Sequence, residues 1–298
     1  MADHTEPSGG RWQGPPPTDA TERLRRSLLE KGLPAAPEVL PVLLDTLVGD
    51  PDVRGVVRIV ERDEGIAARV LSLANSPFFG ARQQVTSLAQ AVTLIGFANL
   101  RDVAMGFCLW QRFSGSGAAF RLHRRRLWVH AATVAAAARY LAGLAKQDTS
   151  LAFSAGLLHD IGKLVLGFRL QDRYWAVLED ATRHNQSVAS IEREVFTCDH
   201  ATVGAWLLQK WQLPTVLVDA VGMHHDPLDA ALAVDLPGIV ATANKLVNAT
   251  DPQSGTVEDE ILGQICTSIP GLLGMRQWQE AYAEIGNGAS AVAHVFDA

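Results

Sequence analysis

Leu157-Leu158-His159-Asp160-Ile161-Gly162-Lys163-Leu164-Val165 is the stretch around which the rest of the chain can be organised. Leu157, Ile161 and Leu164-Val165 recur at helical spacing and define a buried face. Asp160 and Lys163 are three apart and His159 and Lys163 four apart. On a helix over about 150–167 the three polar groups therefore share one side. A His, an Asp and a Lys at the edge of a core need partners, because an unpaired buried charge is costly. A bound metal and a phosphate would satisfy all three. A His–Asp hydrogen bond with Lys163 in solvent is the simpler alternative.

The same period governs the chain on both sides. Upstream, Leu40, Leu43, Leu44 and Leu47 form one stripe, closed by the turn signal Gly49-Asp50-Pro51-Asp52. Ile66, Val70, Leu71 and Leu73 form another, stopped at Asn75-Ser76-Pro77. Ser87 with Gln90 reads as a capping start, and Gly96 as the stop. A helix over 100–113 runs into Ser114-Gly115-Ser116-Gly117, a flexible linker. Downstream come a long Ala-rich helix over about 119–143 and helices over about 199–211, 214–226 and 236–249. No strand alternation is sustained. The expectation is an all-α protein of two packed helical subdomains, residues 21–117 and 118–250. A disordered, Pro/Gly-rich tail (1–20) precedes them. A C-terminal helical extension (251–298) follows, with Trp278 and Tyr282 as a packing pair.

Composition limits function. The 298 residues are 48% hydrophobic and 19% charged, enough for a sizeable core, and the net charge of −6 argues against general nucleic-acid binding. No apolar run reaches the ~18–20 residues of a membrane helix, so no membrane partner is expected. Three cysteines without paired spacing suit a reducing cytoplasm.

Further histidines accompany the opening stretch. His130 lies on the face of Leu127, Val134 and Leu141, where a lone His is ordinarily a satisfied core residue. Arg121, Arg124, Arg125 and Arg126 just before it read as a solvated face, with room for one Arg near an anion. His200 opens a helix that Thr197 or Asp199 can cap, and Gly204 one turn later admits a neighbouring backbone. Pro214 starts the next helix, which ends in His224-His225. Adjacent residues on a helix point about 100° apart, so only part of that doublet meets one metal well. Together, five of the nine histidines join one Asp. Imidazoles in this number suit Fe, Mn, Zn or Ni, and a helical bundle can bring them to one interior point.

The second half resembles the HD superfamily of metal-dependent phosphohydrolases, with ligand order His, His-Asp, Asp. His130, His159 and Asp160 match the first three positions. Asn244, in Ala241-Thr242-Ala243-Asn244-Lys245-Leu246, stands where the last Asp is usual; Asp251 is the alternative in a shifted register. His200 and His224-His225 are similar to the extra ligands of the branch that hydrolyses cyclic di-GMP. The Gly-Tyr-Pro element of that branch is replaced by Asp226-Pro227-Leu228-Asp229. The first half resembles the HDOD domain, an HD-related output domain of bacterial signalling proteins. Leu33-Pro34-Ala35-Ala36-Pro37, Asp50-Pro51-Asp52, Ala68 to Ser76 and Leu88 to Gly96 carry that likeness, which covers roughly residues 28–250. It implies a bacterial regulatory output protein acting on protein partners without hydrolase activity. Its pocket is then expected to hold a divalent transition metal or a phosphate-bearing ligand. The alternative is a metal-dependent phosphodiesterase acting on a nucleotide or cyclic dinucleotide. His130, His159 and Asp160 would then bind metal, and His200, His224 and His225 a second metal or the substrate phosphate. Lys163 would neutralise phosphoryl charge, with Asp160 and Lys163 as the catalytic pair. A third reading is a structural His cluster with no ligand.

Overall fold

The structure, a computed structural model, describes residues 11–16, 18–29, 40, 42–43, 53–61, 63–76, 81, 83–113, 118–184, 186–226, 234–251, 256–269 and 274–297. Among these there is helix and no strand. The first helices are α1 (Asp19–Leu29), α2 (Val53–Val60), α3 (Glu64–Ala74), α4 (Leu88–Ile95) and α5 (Phe97–Gln111). Then follow α6 (Ala118–Leu144), α7 (Thr149–Leu158), α8 (Ile161–Leu170), α9 (Asp172–Arg183) and α10 (Val188–Phe196). The chain closes with α11 (His200–Lys210), α12 (Thr215–Met223), α13 (Leu236–Ala249), α14 (Asp259–Ser268) and α15 (Met275–Asp297). The Leu33–Pro37 segment, the Gly49–Asp52 turn, the Ser114–Gly117 linker and Pro227-Leu228-Asp229 lie outside the described residues.

Local chemistry sets many of the helix ends. Ser87 and Gln90 form the expected capping box, and α4 stops at Gly96, whose φ of +82° is a conformation L side chains rarely adopt. Asp199, not Thr197, caps α11, accepting from the Thr202 amide at 2.9 Å. The single helix expected over 150–167 is two. The chain turns at His159-Asp160, where Asp160 takes φ −98° and ψ 11° and becomes the N-cap of α8. The helix carrying the His doublet stops at Met223, with His224 at its C-cap.

One hydrophobic core runs from Leu28 and Leu29 in α1 through α3, α5, α8 and α11 to Val240 in α13. It crosses residue 117, so the two helical regions share an interior. A buried ion triad reinforces the junction. Asp102 of α5, 1% exposed, accepts from Arg101 at 2.7 Å and also pairs with Arg139 of α6. A second cluster joins the far half of α6 to α13, α14 and α15. There Trp278 is fully buried, donates its indole N–H to Thr250 at 3.1 Å and packs on Tyr282 with ring centroids 5.7 Å apart. The extension is thus part of the folded body.

The N-terminal tail also differs from expectation. The backbone amides of Arg11 and Trp12 both donate to the Asp219 carboxylate of α12 at 2.9 Å, and Arg11 pairs with Asp235. Trp12 lies on the backbone of Gly222, in space a Cβ there would fill. Composition alone overlooks this anchoring, since its partner carboxylate is some 200 residues away. Thr149–Leu170, spanning α7 and α8, is long and apolar enough to cross a membrane by length and composition, but 83% of its 18-residue apolar window is buried inside the protein, as for a core segment.

Close backbone approach positions the centre of the molecule. A Cβ on Gly162 would strike the carbonyl oxygen of His200 and come within 2.8 Å of the Gly204 nitrogen, so α8 and α11 cross in direct contact. Gly162→Ala is expected to cost about 3 kcal/mol or more, read as a fall in the urea midpoint. Gly263→Ala on α14, where an added Cβ meets nothing within 4 Å, should be neutral or stabilise by up to about 1 kcal/mol.

Candidate metal centre

Helix ends, rather than helix faces, deliver most of the polar groups. His159 and His224 each sit at a helix C-cap, with Nδ1 2.7 Å from the carbonyl three residues back, Gly156 and Val221 respectively. Nδ1 must donate in each case, which leaves each Nε2 with a lone pair aimed inward. His200 is the first residue of α11. Its Nδ1 lies 2.6 Å from Glu192 and its Nε2 3.1 Å from Asp160. His225 follows α12, and its Nε2 is 2.8 Å from that of His200. Because both doublet residues lie beyond the last helical turn, the 100° rule does not separate them, and their ring centroids are 4.1 Å apart. His130 alone reaches the centre from a helix interior, that of α6.

Asp160 is the hub. One oxygen lies 2.7 Å from Lys163, 3.3 Å from His159 and 3.6 Å from His130. The other lies 3.1 Å from His200 and 3.7 Å from His224. Two ligand-like groups result, one of His130, His159 and Asp160, the other of His200, His224 and His225. Burial would raise the Asp160 carboxyl, but His159, Lys163 and hydrogen bonds hold it well below the usual carboxylate range. Burial likewise drives His130 down to about 3. Burial, then the neighbouring imidazoles, keep His224 neutral. His200 goes the other way, to about 9, because the Glu192 carboxylate outweighs its burial. Two buried atoms, His159 Nε2 and His224 Nε2, have no hydrogen-bond partner among the described residues, and Asp160 Oδ1 has His200 Nε2 at 3.1 Å. Imidazole nitrogens left unpaired beside a buried carboxylate form a donor set that fits a divalent metal.

Asn244 of α13 is 5% exposed, and its Oδ1 lies 3.1 Å from His130 Nε2 and 2.8 Å from Asn248 Nδ2. Asn244 thus stands beside the group formed by His130, His159 and Asp160. Asp251 lies past the end of α13, its amide donating to the Thr256 carbonyl at 2.9 Å. A cavity of about 540 Å³ opens onto the centre, with Lys163, His130 and Asp160 on its floor and Arg126 and Arg183 on its wall.

Sequence reading missed Glu192. It is fully buried, accepts from the His200 backbone amide at 2.8 Å as well as from its ring, and takes the Tyr174 hydroxyl at 2.6 Å. It fixes the tautomer and direction of His200, the usual task of a carboxylate behind a metal-binding imidazole. Its signal was available: Ala189, Glu192 and Phe196 form the buried stripe of α10, and a carboxylate on an apolar stripe needs a reason.

The sequence pattern of the HDOD domain matches residues 33–227, more than half of the chain. The chain belongs to the HDOD family. An HDOD domain protein of unknown function from Geobacter sulfurreducens has the same fold, with a TM-score of 0.73 at 24% identity over 92% of this chain and 97% of its own. So has a proposed phosphohydrolase of Shewanella amazonensis SB2B, with a TM-score of 0.70 at 24% identity over 90% and 97%. An uncharacterized protein of Treponema pallidum (strain Nichols) is 24% identical over 247 residues, 78% of this chain. The chain spans just under half, 46%, of that longer relative. Asn244 lies beyond the matched stretch, so its place in the HDOD site rests on the geometry above.

Glu192→Ala should lower stability by about 3 kcal/mol, the cost of removing one partner from a buried charged pair, read as a shift in urea midpoint. Glu192→Gln, which keeps an acceptor for Tyr174, should lose less.

Proposed function

We propose that this HDOD protein is a signal-transduction output module whose His/Asp centre holds one divalent transition metal and does not turn over a phosphodiester. The observation that carries this reading is Asn244 at the position facing His130. With Asn there, Asp160 is the only carboxylate among the two candidate ligand groups; Glu192 reaches the cluster through the far nitrogen of His200. One carboxylate among the ligands offsets half the charge of a single divalent ion and leaves nothing to offset a second. Asp160 with His130 and His159, or with His200 and His224, would hold it. Such a metal would supply Lewis acidity toward a phosphate oxygen. Lys163, tied to Asp160, lines the cavity with Arg126 and Arg183, so the chain's own groups favour a phosphate-bearing ligand there. The output acts on protein partners in a bacterial cytoplasm. A fold shared with a proposed signal transduction protein of Marinobacter aquaeolei VT8, at a TM-score of 0.72, is in keeping with that role.

A second reading has its own observation. The two ligand groups lie side by side with Asp160 reaching both, which is the layout of a two-metal phosphohydrolase. Elemental analysis of protein purified without added metal, followed by assay on bis-p-nitrophenyl phosphate with Mn or Fe, separates the two. The expected result is about one metal per chain, lost in Asp160→Ala, with no turnover. Asn244→Asp should tighten metal retention. Turnover that vanishes in His159→Ala and Asp160→Ala overturns the leading reading in favour of the second. Folded protein that takes up no metal overturns both.

A further inference from the structure

The N-terminal segment meets a notch on α12 and α13 that matches it group for group. Asp219 and Gly222 stand in the last turns of α12, and Asp235 caps the start of α13, accepting from the Gly238 amide at 2.9 Å. Asp219 belongs to the buried run Leu217–Val221 and is 9% exposed. A carboxylate in that setting needs donors. The hydrogen bonds it accepts among the described residues come from the Arg11 and Trp12 amides, both at 2.9 Å. A glycine inside a helix is destabilising relative to alanine. At Gly222 the missing side chain leaves the space that the Trp12 indole fills. Gly14, at φ +74°, turns the chain so that a Cβ there would lie 3.3 Å from the same ring. Arg11 pairs with Asp235. Burial of one aromatic ring does not by itself require two amides on one carboxylate and a guanidinium on another.

The turn beneath this segment is the one that aims the His doublet. Trp12 lies on the backbone of Gly222, whose peptide bond joins it to Val221. The Val221 carbonyl accepts from Nδ1 of His224 at 2.7 Å and so directs Nε2 inward. His224 and His225 follow Gly222 by two and three residues, past the last regular turn of α12. Arg11 reaches further along the same stretch. Burial and Asp199 push the Asp226 carboxyl up, and Arg11 pulls it back. Through Asp235 the segment also holds the start of α13, the helix that carries Asn244. It is a non-covalent link between the two helices that supply His224, His225 and Asn244.

We propose that Arg11, Trp12 and Gly14 form a strap that positions the metal centre, with Trp12 setting the backbone beneath His224 and His225. Its effect on metal affinity rests on the one-metal reading above; its effect on the two imidazoles rests on the strap geometry alone. Trp12 acts through the Val221–Gly222 peptide, so it is a positioning residue and not a ligand.

Two measurements on the full chain test this. In cobalt(II) titrations against a chromophoric chelator, Trp12→Ala should weaken binding about tenfold, the usual scale for a residue behind a metal ligand, and change the visible cobalt spectrum. Trp12→Phe, which still places a ring on Gly222, should recover most of the affinity. Asp219→Asn, which takes one carboxylate oxygen from the strap amides, should weaken binding to a lesser degree and replaces Trp12→Ala if that variant does not fold. Tyr282→Ala, which removes a ring from the distant second cluster, should lower the urea midpoint and leave cobalt affinity within about twofold. In the metal-free protein, imidazole NMR correlations of His224 and His225 should shift in Trp12→Ala, and those of His130 should stay in place. Unmoved His224 and His225 signals overturn the proposal. So does unchanged cobalt affinity in Trp12→Ala, or an equal loss in Tyr282→Ala. If the wild-type chain binds no cobalt, the metal reading fails and the imidazole signals alone decide the strap: shifted signals support it and unmoved signals overturn it.

Discussion

A carboxylate that is almost wholly buried has to find positive or donating groups, and Asp160 finds Lys163 at 2.7 Å and His200 at 3.1 Å, with three further imidazoles close by. Lys163, His159, His130, His200 and His224 all stand within 4 Å of its two oxygens. That demand ties together four otherwise separate pieces of chain: the α7–α8 turn, the interior of α6, the start of α11 and the end of α12. Glycine makes the convergence possible. Without the bare Cα of Gly162 against the His200 carbonyl, α8 and α11 would be held apart and His200 would stand back from Asp160.

Helix termini carry the centre because they combine a fixed backbone with a freed side chain. At a C-cap, the imidazole Nδ1 of His159 and of His224 satisfies a carbonyl that the helix leaves unpaired, and that bond orients Nε2. The same construction, used twice, aims two lone pairs at one point. Glu192 provides the third orientation from a buried stripe on α10. The cluster is therefore set before any ligand arrives, with unpartnered nitrogens on His159 and His224 among the described residues.

The same logic applies on the other side of α6. Its arginines are neighbours in sequence, yet a rise of 100° per residue sends Arg126 toward the metal centre and its three companions toward α5.

Periodicity and caps were enough to read an all-α chain, the first-half motifs carried its resemblance to the HDOD family, and the spacing of His130, His159-Asp160, His200 and His224-His225 singled out candidate polar residues. These are local properties: apolar period, capping groups and turn residues act within a few positions. Packing of α13 against α6 brings Asn244 to His130. The break between α7 and α8, the convergence of the His doublet, the anchoring of Trp12 on Gly222 and the role of Glu192 were decided by tertiary structure. Each depends on a partner far away in sequence. A buried carboxylate, a glycine or a tail residue does not reveal which distant group will meet it until the helices are packed.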